Sequence, residues 1–514
     1  MNKRTYIEFV FLVILGMATS LSLPPFNYFF ISFLTFSLFF LFLIKKKNYH
    51  NNKKLFFFYG WLFGFGYFFS NLYWISISLT FDQNFKFLIP LTIFLIPSFL
   101  ALFYGLITLL FIIFKSKRNI KSLLIFSLAY GFLEFLRGII LTGFPWNLIV
   151  YSFLEKLEIL SIISIIGTYG FNLFCVSLFT CPALLIIKFS KINIIVCLFF
   201  LISIISFYNY GTSYEQKFDE AIKKNYDYKI RIVSSNIGLE RYYTNNDPSL
   251  VIQELINLSN PKIDEKTIFV WPEGIFPQIS QKELKNYSSL FDKKFNKNHL
   301  FIIGINSQQT FGNTKSYFNS FSFYDHKLNL LNSYNKMKLV PFGEFLPFES
   351  ILKNIGLKSL TNNYQSYSSG VKRNIIEIKE KNFVLKILPL ICYEIIYSGR
   401  LTKNSDFDII VNISEDGWFG QSIGPEQHFS HSIFRAIESG KYVLRSANNG
   451  ITAIINPTGN IEQSINFGQT GYVDFKENRK IQPTIFSKYG NKIFGLLILL
   501  YIFLIFSFNK IKNG

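Results

Sequence analysis

Cysteine is scarce in this chain of 514 residues, with four against 62 phenylalanines. Cys175, Cys181 and Cys197 lie inside apolar runs, so Cys392 stands alone in the polar part and no internal disulfide can form there. A lone thiol in an oxidising compartment is a liability unless it is used; the plainer reading is an inert buried cysteine. Histidine is equally sparse, at five residues. His428 and His431 lie three apart, but no third ligand stands at a matching spacing, which favours packing or hydrogen bonding over a metal centre. Acidic side chains are outnumbered, 32 Asp and Glu against 52 Lys and Arg, for a net charge of +20. That excess does not point to nucleic acid, because the cations stand in short clusters between apolar runs, and the richness in Lys, Asn, Ile and Phe resembles a coding bias. Internal repeats are missing, as are the paired interrupted segments of a transporter.

What the chain has in abundance is apolar side chain, half of all residues. Seven apolar segments precede residue 210, at roughly 6–23, 28–44, 55–79, 87–114, 122–141, 158–187 and 193–209, and an eighth lies near 493–508. Each is near the ~20 residues that a bilayer core requires, so eight transmembrane helices are expected, with tilts or breaks in the short and long ones. The first resembles a signal peptide, yet the apolar runs that follow it favour a span that stays in place. Lys3 and Arg4 precede the first span, Lys45, Lys46, Lys47, Lys53 and Lys54 follow the second, and Lys115, Lys117, Arg118 and Lys121 follow the fourth. Lys188 and Lys191 follow the sixth, and Lys510 and Lys512 the eighth. The intervening loops carry far fewer cations, which puts both termini in the cytoplasm and the polar segment between the last two spans outside it.

The expected division is therefore residues 1–211, with seven spanning helices, 212–490, an extracytoplasmic domain, and 491–514, with the eighth helix and a cytoplasmic tail. Residues 210–226 read as a polar linker. The middle segment alternates short β-branched runs (230–233, 268–270, 301–303, 384–392, 409–411 and 451–455) with helical stretches such as 282–296 and 426–441. That alternation predicts a layered α/β domain.

Three groups in this domain stand at or just after a predicted strand end, where α/β enzymes place their chemistry. Trp271-Pro272-Glu273-Gly274 stops a strand with proline and turns on glycine, projecting Glu273; the alternative is a solvated turn carboxylate. Lys336 lies in Tyr334-Asn335-Lys336-Met337-Lys338-Leu339-Val340-Pro341-Phe342-Gly343-Glu344-Phe345, where an ammonium in an apolar wall could hold an oxyanion or could merely cover that wall with its stem. Cys392 ends the run Leu388-Pro389-Leu390-Ile391-Cys392-Tyr393-Glu394. A thiolate there would be a nucleophile; a buried strand cysteine is the other reading. Glu134 and Arg137, three apart within a span, can pair on one helix face, as structural glue or at a lipid entrance.

Taken in order, Trp-Pro-Glu, Tyr-x-Lys-x-x-Leu-Val-Pro-Phe-Gly-Glu and Ile-Cys-Tyr-Glu resemble the nitrilase superfamily with its Glu-Lys-Cys triad. With the flanking spans the chain is similar to the apolipoprotein N-acyltransferase family. Asp416-Gly417-Trp418-Phe419-Gly420, Gly424-Pro425-Glu426-Gln427-His428, Arg435 to Gly440, Arg445, Asn448 and Gly450 add to the likeness, as do Glu134 to Gly138 and Gly143-Phe144-Pro145-Trp146. The chain departs from the family's usual Asn at Glu415, from a Gln ahead of Asn236 and from a Trp near Tyr243.

The resemblance implies an αββα nitrilase-like sandwich on a helical membrane domain. It implies Glu273, Lys336 and Cys392 as catalytic residues, with Glu344, Tyr393 and Glu394 in support, and Phe342, Phe345, Trp418 and Trp146 as substrate contacts. The implied reaction is transfer of an acyl chain from a phospholipid, through a Cys392 thioester, to the α-amine of a diacylglyceryl-cysteine on an apolipoprotein. No cofactor or metal is implied, and a monomer in the bacterial inner membrane is expected. A membrane-anchored amidase using the same three residues is the runner-up reading.

Overall fold

The computed structural model describes residues 3–46, 52–244, 247–311, 314–354, 366–380, 383–399, 401 and 406–508. Lys47, Lys510 and Lys512, used above as topology signals, lie outside the described residues. Two compact units emerge: Met1–Leu79, Phe85–Gln216 and Thr484–Gly514 form the first, Thr80–Asn84 and Lys217–Pro483 the second.

Helices build the first unit. Among the described residues, five apolar stretches are long enough to cross a membrane: Lys53–Thr80, Gln83–Phe114, Asn119–Arg137, Ile163–Ile187 and Lys191–Asp219. Phe30–Lys45 and Lys492–Ser507 are apolar but shorter, and Lys3–Ser20 carries Lys3, Arg4 and Glu8. The apolar run at 158–187 is not one helix. Gly167, at φ +70°, breaks the helical path inside Ile163–Thr180, where a β-carbon would lie 2.0 Å from the Phe486 ring. On Lys191–Asp219 the apolar side chains face outward; Ile195, Phe199 and Ile202 are each about 60 % exposed. Such a surface needs lipid, not water, as its solvent, and the chain is a membrane protein.

Glycines let neighbouring helices approach closely, as at Gly60, where a β-carbon would come within 2.2 Å of the Tyr104 carbonyl oxygen. Amid this apolar packing Glu134 and Arg137 are 1 % and 2 % exposed. Arg137 Nε donates to Glu134 Oε2 at 2.9 Å, and its guanidinium also reaches the carbonyl oxygens of Phe144 and Asn147. Arg137 thus fastens the helix end to the loop that follows it.

Two six-stranded sheets form the second unit. The strands are β1 (Lys223–Ser234), β2 (Thr267–Val270), β3 (His299–Phe311), β4 (Thr314–Tyr324), β5 (Leu330–Asn335), β6 (Ile376–Glu380), β7 (Phe383–Ile391), β8 (Ile409–Glu415), β9 (Tyr442–Asn448), β10 (Thr452–Ile455), β11 (Ile461–Ile465) and β12 (Gly471–Arg479). Their orders are β12-β1-β2-β3-β4-β5 and β11-β10-β9-β8-β7-β6. In each sheet three central strands run parallel, β1-β2-β3 and β7-β8-β9, with antiparallel neighbours outside them. The parallel strands are buried on both faces, which is why β2, β8 and β9 are buried throughout.

The sheets meet face to face. Ser446 Oγ on β9 donates to the Val233 carbonyl on β1 at 2.7 Å. Helix Pro248–Ser259, capped by Asp247, covers the first sheet through Ile252, Leu255 and Ile256, which join Phe269, Trp271 and Phe301 in the core. Helix Gly424–Ser439 covers the second and ends on Gly440 at φ +63°. The result is an α/β sandwich of the αββα kind.

Two expectations need correction. The stretch 210–226 is not a linker, because the helix continues to Asp219 and β1 begins at Lys223. Tyr210 holds that helix, its hydroxyl 2.8 Å from Ser164 Oγ. The stretch 282–296 is only a 3-10 turn, Glu283–Tyr287, and one helical turn, Ser288–Phe291. Its apolar spacing reflects Leu284, Phe291 and Phe295 packing into the core, not a regular helix.

Replacing Arg137 with Met strands the Glu134 charge and should cost about 3–5 kcal/mol. A fall in the thermal midpoint of the detergent-solubilised chain, largely reversed by adding Glu134→Gln, is the expected result; an unchanged midpoint contradicts it.

Candidate active site

The lips of the two sheets carry the candidate residues. Glu273 follows β2, where Pro272 ends the strand and Gly274, at φ +58°, turns the chain. Lys336 follows β5 and Cys392 follows β7. Cys392 is held in the left-handed region at φ +46°, uncommon for a residue with a side chain, at the start of the 3-10 turn Cys392–Ile396.

Lys336 sits at the centre. It is 1 % exposed, and its Nζ lies 2.9 Å from both Glu273 Oε1 and Glu344 Oε1. Asn319 on β4 braces the same two oxygens, its Nδ2 donating to Glu273 at 2.7 Å and to Glu344 at 2.8 Å. The second oxygens are tied to backbone. Glu415 N–H donates to Glu273 Oε2 at 3.0 Å, and Val340 N–H to Glu344 Oε2 at 2.9 Å. Both carboxylates and the ammonium are thus fixed in rotamer and orientation.

Burial disfavours the Lys336 ammonium, but the charges of Glu273, Glu344 and Cys392 outweigh it and hold its pKa well above the ordinary lysine range. For Glu344, burial and the neighbouring Glu273 charge raise the pKa against the pull of Lys336. Burial likewise pushes the Cys392 thiol well up, Glu273 adds to that, and Lys336 opposes it. The resting sulfur is therefore a thiol, and a thiolate forms only when a base takes its proton under the field of the ammonium.

Glu394 does a different task. Its Oε1 accepts from Tyr334 Oη at 2.5 Å, Met337 N–H at 3.0 Å and Arg373 Nη2 at 2.7 Å, and its Oε2 accepts from Ile391 N–H at 3.0 Å. One carboxylate thereby joins the chain after Lys336 to the chain before Cys392. Tyr393 is 6 % exposed and packs edge-on to Tyr397.

Behind the sulfur, His428 Nδ1 lies 2.9 Å from Asp416 Oδ1, and Arg445 Nη2 donates to Asp416 Oδ2 at 2.6 Å. Burial would raise the Asp416 pKa, but Arg445 and His428 together pull it down to about 2. Ligand-capable atoms of Cys392, Asp416 and His428 fall within 4.8 Å of one another. Arg445 already pairs the carboxylate that a cation would need, so the charge balance there favours a hydrogen-bonded network over a metal. His431 is buried on the same helix and outside that trio.

The structure gathers Glu273, Lys336, Cys392, Glu344 and Glu394 in one place. Phe342 is 51 % exposed, Phe345 is half-buried, and Trp418 packs against Tyr242 at 5.2 Å. Trp146 lies in the helical unit, 3 % exposed, between Trp74 and Phe144. Sequence reading missed Asn319, Arg373 and Arg241. Asn319 lies in a strand with no motif, and only the pairing β3-β4-β5 brings it beneath Lys336.

Comparison with known proteins agrees with this layout. The family model described as "Apolipoprotein N-acyltransferase N-terminal domain" matches residues 15–181, and "Carbon-nitrogen hydrolase" matches residues 270–475. A Rhizobium leguminosarum bv. trifolii protein named apolipoprotein N-acyltransferase is 32 % identical over 90 % of this chain and 89 % of its own. Proteins of that name from Rhodopseudomonas palustris and Rickettsia prowazekii are 30 % and 33 % identical, covering 96 % and 86 % of this chain and 94 % and 86 % of their own.

Gly304 on β3 makes the Glu273 turn possible, since a β-carbon there would lie 2.4 Å from Glu273 Cα and 2.6 Å from the Pro272 oxygen. Gly304→Ala should push the carboxylate out of register and lower turnover about a hundredfold in a folded chain. Wild-type turnover in that variant would show that the close approach is not needed.

Proposed function

The chain belongs to the apolipoprotein N-acyltransferase family, and we propose that its lipoprotein N-acylation runs through an acyl-enzyme on Cys392. The observation that carries this is the shared ammonium: buried Lys336 pairs Glu273 at 2.9 Å, and its charge opposes the rise that burial imposes on the likewise buried Cys392 thiol.

Glu273 accepts the thiol proton, and the sulfur attacks the ester carbonyl of a membrane phospholipid. The oxyanion that develops is met by Lys336 and the backbone N–H of Tyr393. As the tetrahedral intermediate collapses, Glu273 returns its proton to the departing lysophospholipid alkoxide, leaving a thioester. The α-amine of a diacylglyceryl-cysteine then attacks the thioester carbonyl, Glu273 takes the amine proton, and collapse to the amide expels the thiolate. That proton returns to sulfur and the enzyme is reset. This is a ping-pong cycle. Glu344 and Glu394 are supporting residues, the first orienting Lys336, the second the loop around the sulfur.

Water is the competitor for the thioester. With Cys392 at 8 % exposure and Lys336 at 1 %, little solvent reaches the reacting atoms. Phe342, Phe345 and Trp418 serve as walls for acyl chain in this reading, with Trp146 a contact in the helical unit. A small-substrate amidase is the weaker alternative, because relatives named for lipoprotein acylation match along most of the chain, helical unit included. The cation pattern supports eight spans, both termini in the cytoplasm of a bacterial cell and the catalytic unit on the outer side of its inner membrane.

Intact mass measured after incubation with a labelled phospholipid should rise by one acyl group, mapped to the Cys392 peptide. Chasing with a diacylglyceryl peptide should release it as an N-acyl product. Cys392→Ala should lose both steps. N-acylation by purified Cys392→Ala at the wild-type rate would overturn the mechanism.

A further inference from the structure

Two buried charges beside the Glu273 segment have been given no chemical role, Arg241 and Glu415, 3 % and 1 % exposed. Arg241 lies on the 3-10 turn Leu239–Tyr242 after β1, and Glu415 is the last residue of β8. Arg241 Nη2 pairs with Glu415 Oε2. Glu415 is fully engaged, Oε1 accepting from Gly417 N–H at 2.9 Å and Oε2 also from Asn448 Nδ2 at 2.7 Å. Arg241 Nη1 donates to the carbonyl oxygens of Ile237 and Gly238 at 3.0 and 2.7 Å.

Both members of the pair hold the segment that carries Glu273. The Glu415 peptide N–H is the donor at 3.0 Å on Glu273 Oε2. Arg241 Nη2 reaches the carbonyl oxygen of Gly274, the next residue, at 3.4 Å, and Tyr242 Oη donates to that oxygen at 2.9 Å. The carboxylate and the peptide beyond it are therefore clamped from β8 and from the turn after β1. Burying an ion pair is costly, and a neutral pair could hold the same backbone. What a charged pair adds is a balance: two opposite charges offset each other, and a guanidinium left alone keeps its proton and its charge.

We propose that Arg241 and Glu415 form a positioning pair that fixes the Glu273 carboxylate and balances charge around it. The inference rests on the reading of Glu273 as the base for Cys392. Other charged or titratable groups facing Glu273 are Lys336, after β5, Glu344 and Tyr367, in the segment that follows, Cys392, after β7, and Tyr242, on the turn with Arg241. They are unchanged in the variants below.

Arg241→Gln leaves Glu415, whose pKa burial already raises against the pull of Arg241, to take up a proton of its own, so the base is little disturbed. Glu415→Gln leaves the Arg241 cation, which favours an ionised one. The test is the rate of Cys392 acylation against pH, read by mass on the full-length chain in detergent with a labelled phosphatidylethanolamine. Glu415→Gln should move the acid limb to lower pH by roughly half a unit or more, and Arg241→Gln should leave it close to the wild-type position. The double variant should bring the limb back to the wild-type position, while all three acylate about tenfold more slowly at the plateau because the clamp is loosened. Arg241→Lys, which keeps the charge, should leave the limb in place and slow the plateau, and it carries the test if Arg241→Gln does not fold.

A purely structural role would slow both singles and move neither limb. A Glu415→Gln limb that coincides with wild type, or that moves to higher pH, would overturn the inference while leaving the base reading intact. A Glu273→Gln variant that acylates Cys392 at the wild-type rate would instead remove the base reading, and this inference with it.

Discussion

One buried ammonium organises the catalytic unit. Lys336 has two carboxylates at 2.9 Å, and Asn319 bridges the same two oxygens. Burial raises Glu344 toward its neutral form. A proton resting there leaves more of the Lys336 charge to Glu273 and to the sulfur. Taking the lysine away would leave two carboxylates facing each other with no cation between them, which no local rearrangement could solvate cheaply.

The fold supplies that constellation through strand ends. β2 and β7 are central parallel strands of opposite sheets, and their carboxyl ends deliver Glu273 and Cys392. β5, at the edge of the first sheet, delivers Lys336. Glu394 then couples two of these ends by accepting hydrogen bonds from both sides. The left-handed backbone at Cys392 is a strained conformation that such bracing can sustain. High thiol pKa and tight bracing are consistent with a nucleophile that is quiet at rest and generated when a substrate carbonyl is in place.

How much of this was legible in the sequence depends on what each residue faces. Strands buried on both faces, such as Thr267–Val270 and Ile409–Glu415, announce themselves as β-branched runs, and the end of the first marked Glu273. Leu330–Asn335 is mostly exposed and carries Asn and Ser, so the strand that aims Lys336 has no such signature. Tyr442–Asn448 is buried throughout, yet Arg445, Ser446 and Asn448 interrupt its apolar run, and it stands outside the runs expected to form strands. Most of their partners lie far along the chain, among them Asp416, Val233 and Glu415, where no local window reaches. Glu273, Lys336 and Cys392 were found through motifs whose individual meanings were ambiguous; Asn319 and Arg241 came from pairing and packing alone. In the helical unit, length and apolarity located the helices, while the break at Gly167 depended on the Phe486 ring, more than 300 residues away.

The central claim is that the Lys336 charge governs the ionisation of Cys392. Iodoacetamide alkylation of the Cys392 peptide, followed against pH by mass spectrometry in wild type and in Lys336→Met, tests it most directly. The account predicts a curve displaced to higher pH in the variant, with alkylation at neutral pH slowed about tenfold or more. Superimposable curves from two folded proteins would contradict it.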